Sequence, residues 1–82
     1  MRIRIVSDGR VFDGSAEQIV RQMQQIAFGK EQFALAEYID WLVDQTARLE
    51  GITLNVFGES AAEKAKSLIE ELIRHGLALG LH

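Results

Sequence analysis

Residues 2–6 alternate, with Arg2 and Arg4 set against Ile3 and Ile5, the period-two pattern of a half-buried strand. Asp8-Gly9 follows, a pair strongly favoured in the tight type I′ turn of a hairpin. A turn centred there pairs Val6 with Val11, Ile5 with Phe12 and Arg4 with Asp13. In that register Ile3, Ile5 and Phe12 share one face. Arg4 and Asp13 oppose each other on the other face as a complementary cross-strand pair.

The pattern then changes period. Ser15-Ala-Glu-Gln18 is a capping box, in which the Ser15 hydroxyl and the Gln18 side chain satisfy the first free amides of a helix. Ala16, Ile19, Val20, Met23 and Ala27 recur at helical spacing, Glu17 and Arg21 pair at i,i+4 on the wet side, and Gly29 ends the helix. After a short connection at 30–33, a second helix runs over about 34–50, with Leu35, Tyr38, Ile39, Leu42, Thr46 and Leu49 as its apolar stripe. Gly51 reads as a Schellman stop in the left-handed conformation.

Residues 52–57 alternate again. Ile52, Leu54 and Val56 stand against Thr53, Asn55 and Phe57, which predicts a third strand broken by Gly58. Ser60-Ala-Ala-Glu63 is a second capping box, opening a helix whose stripe is Ala61, Ala65, Leu68, Ile69 and Leu72. Glu70 and Arg74 pair at i,i+4. His75-Gly76-Leu77 is another Schellman stop, carrying Leu77 back over Leu72. Residues 78–82 have no periodicity and are expected to fray.

The expected order is ββααβα, an α+β fold. One apolar sheet face and three amphipathic helices satisfy each other as two layers. The expectation is a three-stranded mixed sheet of order 2-1-3, its third strand parallel to the first, covered on one face by three helices. Residues 1–77 form a single α/β domain and 78–82 a frayed tail.

Composition narrows the function. The chain has 82 residues, 48% hydrophobic and 26% charged, values typical of a folded domain. A core of about 20 side chains leaves stability near 5 kcal/mol, and small domains gain by pairing with a copy of themselves. The absence of cysteine excludes disulfides, thiolate metal sites and thiol catalysis. The N-terminal apolar stretch is too short for a signal peptide, and no run reaches the ~20 residues of a membrane span, so a cytoplasmic location is expected. A net charge of −3 argues against non-specific nucleic-acid binding.

Six features are candidates for chemistry. Glu37, Asp40 and Asp44 share one helix face, the arrangement of oxygen ligands for a divalent cation, but Arg48 follows Asp44 by four and a solvated face explains them. His75 closes the third helix, where the dipole favours an imidazolium, and His82 stands at the last position. Among the serines, Ser15 and Ser60 serve as caps, Ser7 flanks a turn and Ser67 lies mid-helix; no nucleophile-elbow or phosphate-loop glycine pattern occurs. The step from Phe57-Gly58 into Ser60 places a helix N-terminus where an anion can sit, with Glu59 opposing it. The outer sheet face combines Arg2, Arg4, Val6, Val11, Thr53, Asn55 and Phe57, an arginine-aromatic surface of the kind that stacks bases. Trp41 lies about 120° off the stripe of its helix, with Tyr38 between it and the core. Either the first helix buries this flank, or an exposed Trp–Tyr edge serves as an interface.

Met1-Arg-Ile-Arg-Ile-Val-Ser-Asp-Gly-Arg-Val-Phe-Asp-Gly-Ser15, Ile19-Val-Arg-Gln-Met23, Glu37-Tyr-Ile-Asp-Trp-Leu42 and Leu72-Ile-Arg-His-Gly-Leu77 together resemble a family of short bacterial proteins without an assigned activity. The resemblance implies a bacterial cytosolic protein and no particular chemistry. The expected function is a non-enzymatic protein-interaction module, self-associating or binding another protein through Trp41, Tyr38, Arg2, Arg4, Val6, Val11, Asn55 and Phe57. The alternative is a small nucleic-acid-associated regulator using the outer sheet face. No cofactor, metal or catalytic residue is expected.

Overall fold

The first hairpin forms where the alternation places it. β1 (Arg2–Ile5) pairs antiparallel with β2 (Val11–Asp13) in the computed structural model, which describes residues 1–27 and 29–81. The register is Arg2↔Asp13, Ile3↔Phe12 and Arg4↔Val11, two residues from the expected one. The turn is the cause. Asp8-Gly9 is the second half of a longer loop, 6–9, in which Gly9 N–H donates to the Ile5 carbonyl at 2.8 Å and Ile5 N–H donates to the Arg10 carbonyl at 2.8 Å. Asp8 Oδ1 accepts from the Arg10 amide, and Gly9 takes a left-handed φ of 74° that a side chain would resist. A shift of two preserves every face. Ile3, Ile5 and Phe12 therefore stay together, but the guanidinium beside Asp13 belongs to Arg2, at 3.1 Å, and Val6 leaves the ladder for the loop.

The helices follow their caps. α1 (Ala16–Ile26) opens on the full box: Gln18 N–H donates to Ser15 Oγ at 3.1 Å, and Ser15 N–H donates to Gln18 Oε1 at 2.9 Å. α2 (Leu35–Glu50) starts after Ala34, whose amide donates to the Glu37 carboxylate, and stops at Gly51 with φ 69°. α3 (Ala61–Arg74) opens on Ser60 with half a box. Glu63 N–H donates to Ser60 Oγ, while the Glu63 carboxylate accepts a hydrogen bond from the Ser60 hydroxyl in place of the Ser60 amide. The Schellman stop after α3 is complete: Gly76 N–H donates to Ile73 O at 3.1 Å and Leu77 N–H to Leu72 O at 2.8 Å.

The segment 51–58 departs from expectation. Its alternation is real, with Leu54 buried, Ile52 and Val56 half-buried, and Thr53, Asn55 and Phe57 exposed. It is nevertheless not a strand, because it lies along α3 instead of in the sheet. Asn55 N–H donates to Glu71 Oε1 at 2.8 Å, and Phe57 N–H donates to Ser67 Oγ at 2.9 Å. The spacing explains the match. Two residues of extended chain advance about 6.6 Å and four residues of helix about 6 Å, so alternate amides meet successive helical turns. Gly58 ends the segment at φ 145°; a Cβ there would stand 2.7 Å from the Lys64 amide nitrogen.

The free edge of β1 goes instead to β3 (Ala78–Leu81), the residues expected to fray. The Schellman stop reverses the chain, Val6 N–H donates to the Leu77 carbonyl at 3.0 Å, and the ladder continues through Ile5↔Ala78, Arg4↔Leu79, Ile3↔Gly80 and Arg2↔Leu81. His82 lies outside the described residues. The strand order is β2-β1-β3 as expected, but the sheet is antiparallel throughout, not mixed.

One sheet face, with Ile3, Phe12 and Ala78, joins Ile19, Val20, Ile39, Leu68 and Ile69 in the core. α1 neighbours β2 and α3 neighbours β3, whereas α2, expected on the sheet, neighbours only α1 and α3 among the described residues. Leu49, assigned to the stripe of α2, is 77% exposed and does not belong to the core. No helix of the described residues is long and apolar enough to cross a membrane.

Two changes test this arrangement by thermal or urea unfolding. Deleting residues 78–82 removes the partner of β1 and the buried Ala78, and is expected to cost about 3 kcal/mol or more. A frayed tail would leave the midpoint unchanged. Gly58→Ala should cost about 2 kcal/mol or more, because its Cβ would meet helix backbone and its φ would be strained.

Candidate functional site

The structure offers three separate places for a site, and the residues singled out from the sequence do not converge on one of them. Arg2, Arg4 and Val11 stand on the outer sheet face. The strand register puts Val11, Arg4 and Leu79 in one row across it and Asp13, Arg2 and Leu81 in the next. Val11 and Leu79 are about half exposed, and Arg4 has no carboxylate within ion-pair distance among the described residues. Val6 is exposed in the adjoining loop. Asn55 and Phe57, expected on the same face, are carried by 51–58 against α3, so the aromatic is not assembled beside the arginines. Leu79 and Leu81 take the place assigned to Asn55 and Phe57. Their own alternation, Leu79-Gly-Leu81, is too short to mark a strand without its partner.

Tyr38 and Trp41 form the second place. Tyr38 is buried and its ring stacks on Trp41, with centroids 5.9 Å apart and planes at 28°. Trp41 is half-buried, and the cover over its outer side is the connection between α1 and α2. Lys30 Nζ lies 4.8 Å from the Trp41 ring centre and 5.2 Å from that of Phe33, a cation held by two aromatic faces. Gln24 fixes that connection. It is buried, and its amide donates to the Lys30 carbonyl at 2.9 Å and the Phe33 carbonyl at 2.7 Å, using both of its N–H groups. The sequence signal was a polar residue four after Val20, inside the apolar face of α1.

The third place is a half-open cleft of about 360 Å³ where the end of β1, the C-terminal half of α2 and the end of α3 converge. Ile5, Met23, Leu42 and Leu72 form its walls, with Ser7 and Glu50 as polar groups. The sequence marked Ser7 only as a turn flank and did not mark Glu50 as a site residue, because only the convergence of these elements brings them together.

The side chains that elsewhere catalyse have structural partners here. Ser15 and Ser60 cap helices, and Ser67 and Glu71 hold the backbone of 51–58. His75 is the exception: its Nε2 is buried without a hydrogen-bond partner among the described residues, 3.6 Å from Glu71 Oε1, and Arg74 lies 3.6 Å from the other oxygen of that carboxylate. The acidic stripe of α2 is divided. Glu37 accepts from Ala34, Asp40 faces Lys64 at 3.8 Å and Asp44 pairs with Arg48 at 3.1 Å. No group of three or more metal-ligating side chains occurs among the described residues. At the start of α3 the Glu63 amide already donates to Ser60 Oγ, and Gly58 packs closely against Glu63 and Lys64.

Comparison with protein-family models, curated proteins and solved structures finds no match to this chain.

Tyr38 offers a direct check on the aromatic flank. Burial disfavours its phenolate and pushes its pKa from 10 up to about 12. The unfolded chain releases this proton near pH 10, so the stability contributed by the neutral buried phenol is intact below pH 10. It is lost as pH rises towards 12, up to about 2–3 kcal/mol. Because Tyr38 is the only tyrosine, the phenolate absorbance band should titrate near 12 in the folded protein and near 10 in urea. A folded-state midpoint near 10 would place the ring in water.

Proposed function

We propose that this chain is a non-enzymatic interaction module that works as a homodimer, joined edge to edge along β3. The observation that carries the reading is the distribution of side chains relative to the free edge. Among the described residues β3 is paired with β1 on one side only, and an edge strand with one free side is a template for another chain. Its outward-facing residues are Leu79 and Leu81, whereas the arginines sit on the central strand. Antiparallel pairing of β3 with its copy about Gly80 opposes Leu79 to Leu81 of the second chain. It brings four leucines together and keeps Arg2 and Arg4 of the two copies apart.

The opposite edge is less suited to pairing. β2 ends in Asp13, already paired with Arg2, and begins next to Arg10, which faces Asp8 at 3.5 Å. Charged groups at an edge oppose uncontrolled pairing. The six-stranded sheet of the dimer presents a continuous outer face of arginines flanking an apolar centre, the surface through which a further protein partner binds. The roles of Ser15, Ser60, Ser67 and Glu71 in holding backbone support the non-enzymatic part of the reading.

Sedimentation equilibrium tests it. The wild-type chain is expected to be dimeric at tens of micromolar, Leu79→Lys monomeric at the same concentration with its helical circular dichroism retained, and Val11→Lys still dimeric. A wild type that is strictly monomeric, or a Leu79→Lys chain that dimerises as the wild type does, overturns the proposal.

A further inference from the structure

The cleft of about 360 Å³ carries an inference independent of the sheet edge. Its volume is at the small end of the range of ligand sites. The walls are aliphatic, from Ile5, Met23, Leu42 and Leu72, so they suit a hydrocarbon body. Thr46 adds little polarity of its own, because its hydroxyl donates to the Leu42 carbonyl at 2.8 Å. The polar groups left for a ligand are Glu50 and Ser7.

Among the described residues, Glu50 is the only charged one lining the cleft. It is exposed and has no cation within ion-pair distance among the described residues; the nearby Arg48 is engaged by Asp44 at 3.1 Å. Glu50 is also the last residue of α2, where the unpaired terminal carbonyls and the helix dipole add negative potential. An aliphatic cavity with a carboxylate and a helix C-terminus at one side is complementary to an apolar body bearing a positive head.

We propose that this cleft binds a small alkylammonium compound, its chain against Ile5, Met23, Leu42 and Leu72 and its ammonium at Glu50. A primary ammonium has three N–H donors. The Glu50 carboxylate and the Ser7 hydroxyl are acceptors for them. A carboxylate of the same chain length is repelled by Glu50, and an alcohol gains only the apolar contacts.

The test is a titration of the full isotope-labelled chain, followed through its amide resonances, with hexylammonium, hexan-1-ol and hexanoate in parallel. Hexylammonium is expected to shift the amides of Ile5, Ser7, Leu42 and Glu50. It should bind about three- to fivefold tighter than hexan-1-ol, the increment of one partly exposed ion pair, with hexanoate weakest. Glu50→Gln should bring hexylammonium down to the affinity of hexan-1-ol and leave the alcohol unchanged. Because Glu50 is exposed, that variant keeps the native amide dispersion. Equal affinities for the three probes, shifts confined to other surfaces, or an unchanged hexylammonium affinity in Glu50→Gln overturn the proposal. The Leu79→Lys chain is expected to bind hexylammonium as the wild type does, which separates this outcome from that of the dimer.

Discussion

Two side chains of α3 decide which segment completes the sheet. Glu71 and Ser67 accept the amides of Asn55 and Phe57, and so hold 51–58 against a helix in the extended conformation its alternation dictates. A hydrogen bond to a charged acceptor contributes about 1.5–3 kcal/mol and one to a hydroxyl about 1 kcal/mol, a large share of the stability of a chain this short. Glu71 is itself buried, with Arg74 3.6 Å from its second oxygen. With 51–58 satisfied there, the second edge of β1 is open to Ala78–Leu81, which the Schellman stop delivers to it. The antiparallel sheet, the position of Leu79 and Leu81 on its outer face and the free edge of β3 all follow.

The helices, their starts and the ends of the second and third were legible in the sequence because their signals are local, whereas α1 stops at Ile26, three residues before the Gly29 expected to end it. Ser15 with Gln18, Ser60 with Glu63, and Gly51 and Gly76 each satisfy amides or carbonyls within a turn of themselves, so neighbouring residues suffice to identify them. The faces of the first hairpin were legible for the same reason. Its register was not, because Asp8 bonds the Arg10 amide and enlarges the loop, a choice between two turns that the same Asp-Gly pair permits.

The third strand was misplaced because alternation reports half-burial and does not identify the partner. Leu54 is buried under either arrangement. The discriminating signal was on α3, where Ser67 and Glu71 stand four residues apart beside the apolar stripe, each with an acceptor for a backbone amide of 51–58. Gln24 was missed similarly, as a polar residue on an apolar face whose two carbonyl partners come from an irregular connection. Of the candidate surface, Arg2, Arg4 and Val11 were placed correctly by the hairpin alone. Asn55 and Phe57 moved with 51–58, and Tyr38 and Trp41 were drawn inward beneath Lys30. The cleft was invisible because Ser7, Glu50 and its aliphatic walls come from four separate stretches of chain.

The functional reading inherits this logic. A strand recruited from the end of the described chain leaves an unpaired edge, and α2, stacked on α1 and α3, leaves the cleft beside the end of β1. The most direct test of the account is amide hydrogen exchange at Phe57 and Asn55 in the wild type and in Ser67→Ala. If α3 side chains hold this segment, both amides are protected in the wild type, and Ser67→Ala frees Phe57 while Asn55, held by Glu71, stays protected. Undiminished protection of Phe57 in Ser67→Ala would mean that a neighbouring strand holds the segment, and would contradict the account.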